Sequence, residues 1–225
     1  MKATNVFDID KEFMRKQRII IGLEPCQYVD AFKVLRTRVL HKMRESGWNA
    51  LAVTSVNAKA GATLSAINLA ISLALEIDQA VLLVDANLRN PGVHAYFGID
   101  PMYGLADYLL DDVPLNNIIL RPQGLDRFML IPGSRPLSQS AELLSSPQMN
   151  VLVKSLKNHD VSRLIVYDLP HVQTADALAL LPVVDAALLV VEAGVTTQAE
   201  LTQAMEHLNG IHLIGTLLNK SETSS

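Results

Sequence analysis

The chain has 225 residues and a mass of 24.6 kDa, 49% hydrophobic and 19% charged, enough for one sizeable core and short of two ordinary domains. A formal charge of −4 and a pI near 5.8 exclude non-specific coating of nucleic acid, and 11 Gly with 10 Pro are too few for a fibrous or low-complexity chain. The one cysteine, Cys26, cannot close an internal disulfide, and no Cys/His group has metal-ligand spacing, so a reducing, cytoplasmic setting is expected.

Residues 1–25 mix acidic and basic side chains without a sustained period, and only residues 19–23 are continuously apolar. This segment lacks the apolar centre of a signal peptide and reads as an N-terminal arm that packs late or against a partner. From Tyr28 onward Val29, Phe32, Leu35, Val39 and Met43 follow helical spacing, which predicts an amphipathic helix broken at Gly47. Next come a β-rich run at 50–56, a loop at 57–62 and an alanine- and leucine-rich helix from 63 to about 76. Short apolar strands are predicted at 81–84, 128–131, 164–167, 186–191 and 212–218, with helices near 103–110, 147–158, 174–181 and 197–208.

Strands that are apolar throughout are buried on both faces. The alternation therefore predicts an α/β domain over residues 26–220: a doubly wound, mostly parallel sheet flanked by helices. The longest apolar tract, 177–191, is interrupted by Pro182 and Asp185 and is too short to span a bilayer. Sheets of this kind bind ligands at the carboxyl ends of their strands, which directs attention to the loops after Val56, Val84 and Tyr167.

The first loop has the context of a phosphate-binding loop, G-x-x-x-x-G-K-[ST]. It reads Ser55-Val-Asn-Ala-Lys-Ala-Gly-Ala-Thr63, so the last glycine and the threonine are present as Gly61 and Thr63, while Ala62 stands where the lysine belongs. That lysine neutralises the β/γ-phosphates. Losing one charged hydrogen bond costs about 1.5–3 kcal/mol, and losing a transition-state stabiliser costs about 10²–10³ in rate, so catalysis should suffer more than binding. Lys59 is the nearest cation in the loop. The second loop places Asp85 and Asn87 two apart, a carboxylate that can serve Mg²⁺ or orient an attacking hydroxyl, or else cap the turn while Arg89 pairs with a surface acid. The third, Leu164-Ile-Val-Tyr-Asp168-Leu-Pro170, has the Walker B arrangement, an apolar run ending in the acid that serves Mg²⁺.

With these motifs in this order, and with Asp30-Ala-Phe-Lys-Val-Leu-Arg-Thr37, Ala141-Glu-Leu-Leu-Ser-Ser-Pro147 and Ile214-Gly-Thr-Leu-Leu-Asn-Lys220 around them, the sequence resembles a known family over residues 24–220. It is similar to the bacterial tyrosine kinases of capsule and exopolysaccharide synthesis, P-loop ATPases of the deviant Walker class that includes the septum-site and plasmid-partition ATPases. The resemblance implies a P-loop NTPase fold with Mg-ATP or Mg-ADP on the strand-end face. Lys59, Gly61, Ala62, Thr63 and Asn219 would line the nucleotide, with Asn219 at the adenine edge. Asp85 and Asp168 would be the catalytic carboxylates, and together with Thr63 would manage Mg²⁺. It also implies a homo-oligomer formed through the first helix, where Asp30, Lys33 and Arg36 stand for the family's Glu-x-x-Arg-x-x-Arg. The expected setting is cytoplasmic, at the inner face of the cell membrane, held there by a polysaccharide co-polymerase or chain-length regulator, with no nucleic-acid partner.

The departures all touch one chemistry. Ala62 replaces the loop lysine, Asn87 replaces the second acid of the Asp-Ala-Asp motif, and residues 221–225 form a short tail without the family's tyrosine cluster. The tyrosines, at 28, 96, 103, 108 and 167, all lie upstream. The reading is a degenerate kinase homologue with weakened nucleotide binding, a regulatory or scaffold subunit of polysaccharide synthesis and export. One alternative is an active autokinase in which Lys59 replaces the missing lysine. Another is a partition-type positioning ATPase, against which Asn57 at the place of a second loop lysine and the acidic balance both speak. His94, His171 and His212 read as structural, because phosphoryl transfer rests mainly on positioning and electrostatics.

Overall fold

The computed structural model describes residues 5–160 and 162–221; the outermost parts of the expected arm and tail, 1–4 and 222–225, lie outside the described residues. Eight strands form one sheet: β1 (Asn5–Phe7), β2 (Ala50–Ser55), β3 (Val81–Asp85), β4 (Leu120–Pro122), β5 (Phe128–Ile131), β6 (Leu164–Asp168), β7 (Ala186–Glu192) and β8 (Leu213–Asn219). Their spatial order is β1-β4-β5-β3-β6-β2-β7-β8. All neighbours pair in parallel except β4 and β5. The helices are α1 (Lys11–Lys16), α2 (Gln27–Ser46), α3 (Ala62–Ala74), α4 (Val93–Tyr96), α5 (Leu105–Asp111), α6 (Leu115–Ile118), α7 (Ser140–Leu144), α8 (Pro147–His159), α9 (Ala175–Leu180) and α10 (Gln198–His207).

The strand pleat divides the core into two layers. Val81 and Leu83 of β3, with Leu164 and Val166 of β6, face one side, where α2 and α3 pack. Leu82, Val84, Ile165 and Tyr167 face the other, covered by α5, α8, α9 and α10. The central strands thus need apolar residues at every position, which is why their sequences read as unbroken runs. α3 carries no charged residue and is buried almost from end to end between the sheet and α2. α2 stops where Gly47 takes a left-handed φ of 66° and Trp48 N–H returns to the Met43 carbonyl.

The structure adds two features to the expected fold. The described part of the arm is built into the fold: β1 pairs with β4, α1 follows, and Met14 and Ile19 have no exposed surface. Its lock is Asn68, the one fully buried amide on α3. Its Oδ1 accepts the Ile20 N–H, and its Nδ2 donates to the Arg18 carbonyl and to the Tyr28 hydroxyl. The sheet also extends beyond the predicted strands, through β1 and β4. Each is only three residues long, too short to show a period, and β4 ends in Pro122.

Candidate functional site

The three predicted loops meet on one rim. β3, β6 and β2 are adjacent, and their register sets Asp85 opposite Asp168 and Asp168 beside Val53. Between the loops opens a cleft of about 720 Å³, lined among others by Lys59, Gly61, Ala62, Thr63, Arg89 and Asp176.

The floor is the loop that leads into α3. Gly61 is the residue before the helix, with φ of 94°, and no side chain caps the first N–H groups of α3. Uncapped donors at the start of a 13-residue helix suit phosphate oxygens. Ala62 is the first helical residue and is 8% exposed. The loop is strapped to β8 from the side: Asn219 Nδ2 donates to the Ala60 carbonyl at 2.8 Å, and Lys220 Nζ donates to the Lys59 carbonyl at 2.8 Å while pairing with Glu192 at 2.9 Å. Lys59 itself lies on the outer bend with φ of 64° and an exposed side chain. Asn219, expected at the adenine edge, thus spends its amide N–H on the loop backbone.

The two acids differ. Both are fully buried. Asp85 accepts N–H bonds from Asn87 at 3.3 Å and from Gly92 and Val93 at 3.0 Å each, so its carboxylate shapes the chain between β3 and α4. Burial pushes its pKa up to about 6, against the pull of those donors and of the Gly133 N–H. Neither oxygen of Asp168 makes a hydrogen bond of ordinary geometry. Burial holds its carboxyl well above the usual carboxylate range, and the Asp85 charge adds to the rise; the nearby Thr63 hydroxyl opposes it. Burial also raises the Tyr96 hydroxyl, with Asp168 contributing.

These residues fit a hard divalent cation carrying phosphate. Asp168 offers two unpartnered buried oxygens, Thr63 a hydroxyl beside them, and the start of α3 its N–H groups. Asp168 and Thr63 would hold the ion, while Asp85, by accepting the Asn87, Gly92 and Val93 N–H groups, organises the loop. Position 62 brings an alanine methyl group and no charge to this floor. Sequence reasoning overlooked Asp176, at the start of α9: it is 1% exposed, its Oδ2 has no hydrogen-bond partner, and its Oδ1 lies 4.0 Å from Arg89. Arg89 does pair with an acid, but a buried one inside the cleft. Its signal was present in Asp176-Ala-Leu-Ala179, where an acid interrupts an apolar helix.

The three oligomerisation residues part company. Asp30 and Lys33 pair with each other at 2.8 Å on the exposed side of α2. Arg36 turns inward, 2.7 Å from Glu76 and donating to the Ser72 carbonyl, with its side chain 19% exposed.

No protein-family model matches the chain. It is 31% identical over 193 residues to the tyrosine-protein kinase Etk of Escherichia coli K12, an alignment covering 85% of this chain and 26% of Etk. The chain thus spans about a quarter of that relative. To the tyrosine-protein kinase YwqD of Bacillus subtilis it is 28% identical over 216 residues, covering 93% of this chain and 89% of YwqD. Among solved structures, the Etk kinase domain superposes with a TM-score of 0.79 at 29% identity, over 89% of this chain and 79% of that domain. The chimerical protein CapA2B2 superposes with a TM-score of 0.84 at 19% identity, over 99% and 96% of the two chains. The septum-site protein MinD of Pyrococcus horikoshii, solved with Mg-ADP, reaches 0.64 at 22% identity, over 77% and 72%, and shares the fold. Through these sequences, and through three loops gathered on one rim of a mostly parallel sheet, the chain is identified as a homologue of the bacterial tyrosine-protein kinases, built on the P-loop ATPase fold.

Proposed function

We propose that the chain is a degenerate kinase homologue that keeps the nucleotide fold and serves as a regulatory or scaffold subunit in polysaccharide synthesis and export. The observation that carries this reading is Ala62. An uncharged methyl group, 8% exposed, stands at the first residue of α3, where the fold's relatives in the resemblance place the phosphate lysine. Loop geometry, the α3 N-terminus and Asp168 support weakened Mg-nucleotide binding. The charge that would build up on a transferring phosphoryl group has no partner at position 62. Docking on an inner-membrane co-polymerase, a position at the inner face of the membrane and self-association through Asp30 and Lys33 belong to the same proposal. No helix among the described residues is long and apolar enough to cross a membrane.

The test is Mg-ATP-dependent tyrosine phosphorylation by the purified chain, compared with Ala62→Lys and Asp168→Ala. Wild-type transfer should match Asp168→Ala and fall about 10²–10³ below Ala62→Lys. Wild-type transfer equal to that of Ala62→Lys and well above Asp168→Ala would sink the reading.

A further inference from the structure

Resting on the nucleotide reading of the cleft, we propose that Arg89 is its phosphate-binding cation, released from Asp176 to take up the charge that position 62 lacks. Three cationic or ionisable nitrogen side chains line the cleft among the described residues: Lys59, Arg89 and His171. Topology separates the first two. The loop bearing Lys59 is drawn toward the β8 edge by Asn219 and Lys220. Arg89 follows β3, on the other side of β6 from the β2 loop, and lines the same cleft beside Asp176. A phosphate held over Asp168 and Thr63 would sit in the cleft that Arg89 lines, whereas the Lys59 backbone is tied away toward β8.

The backbone under Arg89 is fixed. Asp85 holds the Asn87, Gly92 and Val93 N–H groups, Leu88 is fully buried and its carbonyl accepts the Leu137 N–H, and Asn90 N–H closes a turn on the Asn87 carbonyl. The side chain is not fixed. Its contact to Asp176 is 4.0 Å, beyond hydrogen-bond range, and the side chain is 59% exposed. Asp176 is nine-tenths buried and more, yet one of its oxygens has no partner. A loose, half-solvated ion pair of this kind is worth little, whereas guanidinium bound to phosphate through two parallel N–H groups is strong. Phosphate therefore competes well for Arg89, and Asp176 acts as its parking place.

Calorimetric titration with Mg²⁺ and inorganic pyrophosphate, repeated with Mg-ADP, tests this on wild type, Arg89→Gln, Arg89→Lys, Asp176→Asn, Lys59→Gln and the double variant Arg89→Gln/Asp176→Asn. Arg89→Gln should weaken both ligands about tenfold or more, and Arg89→Lys by an intermediate factor. Asp176→Asn should tighten them, since it frees Arg89, and the double variant should match Arg89→Gln. Lys59→Gln should stay within about threefold. A merely structural Asp176 would weaken binding when changed, and melting of each ligand-free variant identifies one that has failed to fold. If Asp176→Asn does not fold, the graded order wild type, Lys, Gln at position 89 carries the test. Arg89→Gln within threefold of wild type, or an equal loss in Lys59→Gln, overturns the proposal. Pyrophosphate binding by Ala62→Lys but not by wild type also overturns it, while leaving the degenerate reading intact. Conversely, rapid phosphoryl transfer by wild type removes that reading without touching the order of affinities at position 89.

Discussion

Position 61 requires glycine for two separate reasons. Its φ of 94° is a region L side chains rarely adopt, and a Cβ there would lie 2.2 Å from Asn219 Nδ2. Gly61→Ala should therefore cost about 1–3 kcal/mol in urea unfolding and loosen the strap between the loop and β8. Asn219→Gly in the same background should recover the steric part alone. Next door, Ala62 was legible from sequence spacing, and Ala62→Lys should tighten Mg-ADP about tenfold or more in calorimetry. The buried acids predict a pH dependence. Both have folded pKa values above the unfolded value of about 3.9, so the native state binds more protons. Their contribution to stability is full below that value and is lost as pH rises through about 6 for Asp85 and through the raised value of Asp168. Asp168→Asn removes one ionisable group and the repulsion on the other. It should raise the urea midpoint at pH 8 far more than at pH 4.5, and a gain of equal size at both would refute the burial argument. The sequence placed both acids at strand ends. It could not show that Asp85 spends its oxygens on the backbone while Asp168 accepts no backbone N–H, since donors from residues 92, 93 and 133 arrive only when the chain closes.

Helix and strand legibility followed burial pattern. β2, β3, β6 and β7 were evident because a strand covered on both faces must be apolar at every position, and α2 because its stripe repeats at helical spacing over 20 residues. β1, β4 and α1 were not, being three to six residues long and stable only through what they touch. The arm depends on α3: Asn68→Ala strips the Ile20 N–H and the Arg18 carbonyl of their partner inside the core. It should cost about 1–3 kcal/mol and expose residues 5–25 to protease before the remainder of the chain. Asn68→Asp, which retains the acceptor for Ile20 and loses the donor to Arg18, separates the two bonds. The charged face of α2 divides likewise. If the chain self-associates through this helix, Lys33→Glu should lower the sedimentation coefficient with little change in melting. Arg36→Ala should lower melting instead, because Arg36 ties α2 to Glu76 and Ser72 within one chain.

For the whole molecule, the linear order of strand, loop and helix carried the doubly wound fold, because parallel neighbours require crossovers and crossovers bury both sheet faces. The same order put Asp85 and Asp168 at carboxyl ends of strands and Thr63 in the helix after such an end, and the alanine at position 62 was visible as a letter. Hydrophobic periodicity is a local property, so the chain could state these things without being folded. Tertiary structure alone decided the rest. Only strand order made β3, β6 and β2 neighbours and put their three loops on one cleft. Only packing turned the arm into part of the core, bound Lys220 to the Lys59 carbonyl and set Arg89 beside a buried, half-satisfied Asp176. Each of those is a contact between residues tens of positions apart, where the energy comes from desolvation and hydrogen-bond partners that no local pattern specifies.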